Sequence, residues 1–242
     1  MVAAVVVVVG LAMMAVEHMR PGVEQPRVRG FWWRAVAASA VQAGSVQALA
    51  PLWDGYLVGH RAWSAAGLGA VGGAILGYLA LTLVYYFWHR ARHEVPWLWR
   101  WLHQLHHSPQ RIEVITSFYK HPLEILANGL LSSAVLYGLV GLSVEAAAGA
   151  VLLSGLAELF YHWNVRTPEW LGYLIQRPES HRLHHERGRH GRNYSDVPLW
   201  DMLFGTFENA RGEPAACGFD DGVEARIGEM LLGRDVSAEA AS

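Results

Sequence analysis

Long apolar stretches alternate with short polar loops along this chain. Five of them, residues 1–16, 35–53, 65–88, 122–140 and 144–163, approach the roughly 20 residues a helix needs to cross a hydrocarbon core about 30 Å thick. The first is short and has neither a basic leader nor a small-residue cleavage site, so a retained anchor is expected. Pro96 follows the third run and discourages helix at the residue before it. The run "WLWRWLHQLHH" then reads as a separate helix. The pattern predicts an all-α integral membrane helical bundle of four to five spans with a helical, histidine-rich cap. Expected divisions are 1–64 for N-terminal spans, 65–209 for the catalytic part and 210–242 for a polar, mobile tail.

Composition supports lipid as the main solvent. Hydrophobic residues make up 52% and charged residues 17% of the 242 positions, against about 25% charged in a soluble domain. The net charge of −2 gives no basic field for nucleic acid. A single cysteine, Cys217, excludes an internal disulfide and a thiolate-held cluster. Lys120 is the only lysine among the basic side chains, read as a nucleotide-composition bias of bacterial type.

Two spans lie between Lys120 and Arg166, joined by a tight turn at Gly141, so the chain returns to the side it left. That side carries most of the arginines and, by the positive-inside rule, faces the cytoplasm; the expected location is a bacterial inner membrane. All tryptophans except Trp200 fall at span ends or just beyond them, the depth an indole prefers. Gly69, Gly73 and Gly77 form a small-residue stripe suited to close helix approach.

The chemistry lies in the histidines. "HRARH" places His89 and His93 four apart, on one helix face. "HQLHH" places His103, His106 and His107 at i, i+3 and i+4, and "HRLHH" repeats this with His181, His184 and His185. Eight imidazoles on one side of the membrane need a shared ligand. Packed without one they would leave nitrogens unpaired, or repel if protonated. Neutral imidazole binds iron, copper, zinc and nickel. One zinc would use only three or four of them, so the count suits two metals, with redox-active iron the natural candidate. The arginines between the histidines are expected to point outward. "HHERGRH" misses the zincin spacing, no inward Glu-x-x-His pair marks a carboxylate di-iron bundle, and no GxSxG is present.

These motifs, in this order around a membrane hairpin, resemble the fatty acid hydroxylase / sterol desaturase superfamily of membrane-bound non-haem di-iron oxygenases. "KHPLE", "FYHWN" and "NYSDVPLWDMLFGTFEN" agree, so the resemblance spans roughly residues 79–209. It implies two iron ions held by the eight histidines, with His162 as a further ligand. It also implies O2-dependent hydroxylation or desaturation of a lipid, such as a fatty acyl, sterol-like or carotenoid molecule, in lipid biosynthesis. No fused cytochrome b5-like domain is seen, so a separate reductase, ferredoxin or cytochrome b5-like donor is expected. His121 and His190 stay open between ligand, support and helix-entry roles, and His18 and His60 read as surface residues. Tyr194 reads as structural, and Asn193 and Asp201 stay open between orienting imidazoles and building the turn. Glu158, inside the fifth run, is a candidate partner of His162 or a lining of the substrate path. The rival class is a non-enzymatic metal- or haem-binding membrane electron carrier.

Overall fold

The computed structural model describes residues 2–61 and 63–239; Met1 and the last three positions of the expected tail lie outside them. Among the described residues five helices are long and apolar enough to cross a membrane. They are α1 (Val2–Met19), α2 (Phe31–Gly59), α3 (Gly69–Glu94, entered through a 3-10 turn at Ala66–Leu68), α6 (Pro122–Ser133, whose helical path continues to Leu139) and α7 (Val144–His162). Between α3 and α6 come α4 (Pro96–Leu98) and α5 (Gln104–His107), joined by a π-helical turn over Trp99–His103. After α7 come α8 (Pro178–His184), α9 (Leu199–Phe204), α10 (Ile227–Leu231) and α11 (Val236–Glu239). Among the described residues there is no strand, only an isolated bridge between Glu186 and Cys217.

The spans end where the backbone chemistry says they must. Val95 is extended ahead of Pro96 and closes α3. Pro122, whose missing N–H costs nothing at a first helical position, opens α6, which runs on through a second π-helical turn at Ala134–Leu139. Ser143 caps α7 by accepting the Ala146 N–H at 3.2 Å. Between them Gly141 adopts φ 68°, and a Cβ there would overlap the Trp63 carbonyl.

Helices α3 and α7 run parallel and approach closely. A Cβ on Gly73 would fall 2.7 Å from Ala146 Cβ, and one on Gly77 would fall 2.6 Å from Leu142 Cδ1. Gly69, the third glycine of the stripe, instead opens α3 at φ 66° and faces no neighbour. Helix α1 lies along α7, where Gly155 faces Val6, and α2 lies along α6, where Gly129 faces Trp53. Glu17, at the end of α1, accepts the backbone N–H groups of Asn164 (3.0 Å) and Val114 (3.2 Å). This ties the first span to the cap. Outward-facing Val7, Val8, Leu11, Val71, Ile75 and Leu139 are exposed, as expected of a surface solvated by lipid tails.

The cap sits where α3 and α7 end. The expected mobile tail is part of it. Phe219, Met230 and Val236 are buried against Phe31, Leu105, Ile115 and Tyr119. The Gly218 N–H donates to the His185 carbonyl (3.1 Å) and the Phe219 N–H to the Ser108 carbonyl (3.1 Å). These apolar residues are too widely spaced to show a periodicity, yet each fills its own notch in the cap. Trp99 likewise departs from a membrane anchor: its ring lies 5.3 Å from His93 and 5.4 Å from His107.

Candidate metal centre

The structure sorts nine histidines into two groups whose ligand nitrogens lie within 4.8 Å of one another: His89, His93, His103, His107 and His184; and His106, His162, His181 and His185. The sequence pattern placed each HxxHH triplet on one face. Instead each triplet straddles both groups. Residues i and i+4 differ by about 40° around a helix, while i+3 and i+4 differ by about 100°. His103 and His107 therefore enter the first group and His106 the second, whereas His181 and His185 enter the second and His184 the first. The π-helical turn at Trp99–His103 widens the chain where His103 must reach its group. His107 and His185 stack at 4.1 Å where the two groups adjoin.

Hydrogen bonds outside the groups fix the tautomers. A backbone carbonyl can only accept, so a ring nitrogen bonded to one carries the proton. Nδ1 of His89 bonds the Tyr194 carbonyl (2.7 Å), that of His184 the Arg192 carbonyl (2.6 Å), that of His162 the Glu158 carbonyl (2.9 Å) and that of His106 the Tyr119 carbonyl (3.4 Å). His103 Nδ1 faces the Glu124 carboxylate at 3.1 Å. The Nε2 atoms of the four carbonyl-bonded rings are thus bare lone pairs aimed inward. Those of His89, His103 and His184, with His93 Nε2 and both His107 nitrogens, are buried with no hydrogen-bond partner. In the second group His181 Nε2 lies 3.1 Å from both His162 Nε2 and His185 Nε2. That is the spacing of neighbouring nitrogens bound at about 2.1 Å to one ion. The donor set fits metal ions in both groups.

Electrostatics favours the same state. Burial, reinforced by the neighbouring imidazoles, pushes His103, His106, His107, His181 and His185 well below the ordinary histidine value, and His184 down to about 3; Arg92 adds to this at His103 and His184, and Lys120 at His106. Neutral imidazole is the ligating form.

The supports are themselves supported. Asp201 accepts the N–H groups of Tyr194 (2.8 Å) and Ser195 (2.9 Å), holding the carbonyl that orients His89. Asn193, at φ 55°, donates to the Ser180 and Glu208 carbonyls and accepts the Glu208 N–H, so it builds the turn. Arg92 and Arg182 do not point outward as expected, and Arg192, just beyond the last histidine, is buried as well. Arg92 is 4% exposed and pairs with Glu124; Arg182 pairs with Glu213, and Arg192 with Glu186 and Glu208. An arginine three residues from His89 shares its inward face, and only a buried carboxylate makes that tolerable.

His121 stands apart from both groups. Its Nδ1 accepts the Leu123 N–H at 3.0 Å and caps α6. His190 lies behind the first group, its ring 4.8 Å from His107 and its Nδ1 bonded to the His184 carbonyl. His18 and His60 are exposed. The Glu158 side chain pairs with Lys120, and only its backbone meets His162. Glu124 and Arg92 are the residues beside the candidate centre that spacing arguments miss. The available signal was a carboxylate one turn into a span beside a histidine cluster. An open cavity of 670 Å³ reaches the first group at His93, between Trp99, His190 and Tyr194.

The fold and the site define a histidine-rich helical membrane protein whose nine inward imidazoles form two groups able to hold metal ions. The chain belongs to the fatty acid hydroxylase family, whose model matches residues 74–206 and so takes in all nine histidines. It is 32% identical over 139 residues to human alkylglycerol monooxygenase, covering 54% of this chain and 29% of that protein. To the ornithine lipid hydroxylase OlsE of Rhizobium tropici it is 31% identical over 163 residues (65% of this chain, 47% of that protein). To the fatty acid hydroxylase vlmA of a Lecanicillium species it is 33% identical over 146 residues (53% and 40%). The aligned part thus spans less than half the length of each of these curated relatives. No solved structure matches the chain.

Proposed function

We propose that the protein is an O2-dependent lipid hydroxylase, with desaturation as the variant outcome. In this reading two non-haem iron ions are held by His89, His93, His103, His107 and His184 and by His106, His162, His181 and His185. The observation that carries it is the sorting of nine imidazoles into two groups with their bare nitrogens inward. Iron there would supply activation of O2 and oxidation of an unactivated C–H bond, with two electrons from an external ferredoxin, reductase or cytochrome b5-like donor. The chain's own part is preorganisation. Backbone carbonyls fix the tautomers, burial keeps the rings neutral, and Glu124 with Arg92 holds His103 without adding net charge. The spans hold the lipid chain beneath, and the cavity at His93 admits small reactants from the opposite side. The arginine-rich end is assigned to the cytoplasm, and residues 65–209 to the catalytic unit with the tail as part of its cap. The three relatives named above all carry names of oxygen-inserting enzymes, and these agree with the reading.

A haem-carrying alternative fits the geometry poorly, because rings packed 4.1–4.9 Å apart within and between the two groups leave no width for a porphyrin. The test is iron-reconstituted protein in lipid vesicles with a reducing system and 18O2, followed by lipid mass spectrometry. The expected product is a lipid carrying one 18O, or one lacking two hydrogens. Iron-loaded protein that changes none of the fatty acyl, sterol-like, carotenoid and polar-headed lipids would overturn the assignment.

A further inference from the structure

Below the two histidine groups, on their membrane side, the interior carries charge that neither group uses. Glu158 lies one helical turn before His162 on α7, and so deeper in the bundle, and its carboxylate pairs with the Lys120 ammonium. Their side chains are only 19% and 10% exposed. Asp196 reaches the same region from the loop after the last histidine motif. Ser195 Oγ donates to the Thr82 carbonyl (3.2 Å) and Trp200 Nε1 to Thr82 Oγ1 (2.9 Å), which holds that loop down along α3 below His89. The Asp196 carboxylate faces the hydroxyl of Tyr78, roughly three turns before His89. It also feels the charges of both Glu158 and Lys120. Tyr161 closes the region from above, its ring 4.4 Å from His181.

Pairing within this set leaves its charges unequal in number. Arg92 and Glu124 neutralise one another close by, which leaves two carboxylates against one ammonium. Among the described residues, every other well-buried pair of a carboxylate with a fixed cation uses arginine, as in Arg92–Glu124, Arg177–Glu179, Arg182–Glu213 and Arg192–Glu186. The chain's only lysine is here. A lysine presents a compact point charge with three rotatable donors, and not a fixed fork. Such a group can be shared with a ligand without leaving its partner. Polar groups facing an apolar chain would stay unsatisfied, and a second carboxylate brought here would meet like charge.

Resting on the lipid-oxidation reading, we propose that Lys120, Glu158 and Asp196, with Tyr78 and Tyr161, bind the polar head of the lipid substrate. The head is one bearing hydroxyl or amine donors. The carbon oxidised is then one beside the head, not one far along the chain.

The test compares equilibrium binding of 1,2-hexadecanediol, palmitate and hexadecane to the detergent-purified full chain of measured metal content. The diol is expected to bind about tenfold or more tightly than either of the others, because a site built to hydrogen-bond hydroxyls rejects analogues lacking them. Asp196→Asn and Glu158→Gln should erase most of that preference while hexadecane binding and metal content stay unchanged. Equal binding of all three probes, or a preference for palmitate, overturns the proposal from the unsubstituted protein alone, whether or not the variants fold. In the reconstituted system, oxygen inserted in mid-chain of the diol also overturns it while leaving lipid oxidation standing. Failure to oxidise any lipid would instead count against the reading it rests on, and the binding comparison would still decide this one.

Discussion

Replacing Glu124 by Gln removes the charge from a carboxylate that is 0% exposed and faces both Arg92 and His103 Nδ1. Arg92, 4% exposed, would then be a buried cation without a counter-charge. Breaking a buried pair from one side costs about 3–5 kcal/mol. At about 2–4 °C per kcal/mol for a chain of this size, unfolding should shift down by on the order of 10 °C. The same change weakens the orientation of His103, and loss of such an outer partner lowers metal affinity by about 10–100-fold. A double replacement separates the two effects. With Arg92→Leu and Glu124→Leu together, no charge is stranded, and the remaining cost is His103 Nδ1 left without either of its partners, about 1–3 kcal/mol. Stability should largely return while metal affinity stays low. Thermal unfolding in detergent and competitive metal titration read the two quantities. Equal destabilisation by the single and double changes, or unchanged metal affinity in Glu124→Gln, would refute the reasoning.

Other outcomes follow from the same geometry. His190→Ala and His121→Ala should keep the full metal complement, since one ring lies behind the first group and the other caps α6; elemental analysis showing metal loss in either would contradict this. Gly77→Val should destabilise the bundle by about 1–3 kcal/mol through overpacking, because a Cβ already meets Leu142, Leu136 and Ala150; unchanged thermal unfolding would argue against the α3–α7 packing. The metal-free protein should lose stability on acidification. The cap histidines resist protonation when folded and accept it when unfolded, so their contribution is complete above pH 6.5 and is lost as pH falls toward about 3. The slope is about 1.4 kcal/mol per pH unit for each such histidine. Metal-free unfolding temperatures that stay flat between pH 7 and 4 would contradict it.

Much of the architecture was legible because it rests on local regularities. Apolar run length located all five spans, although α2 extends to Gly59, beyond the expected Trp53, since nothing in Asp54–Val58 stops a helix. Histidine spacing marked eight of the nine clustered rings. His162 stands alone in its span, so only resemblance to a family pointed to it. What stayed hidden depends on which elements meet. The split of each HxxHH triplet follows from two groups lying on opposite sides of the helices that carry them. Burial of Arg92 requires Glu124, 32 positions away in sequence. The tail docks through Phe219, Met230 and Val236, whose spacing forms no periodic face.

The central claim is that the nine histidines build a two-metal centre, and metal stoichiometry tests it most directly. Protein purified in detergent after iron reconstitution should hold about two metal ions per chain, as nine neutral imidazoles in two groups require. His181→Ala with His185→Ala should leave about one, because the first group keeps all five of its rings. Well-folded protein that binds one ion or none before any substitution would contradict the account.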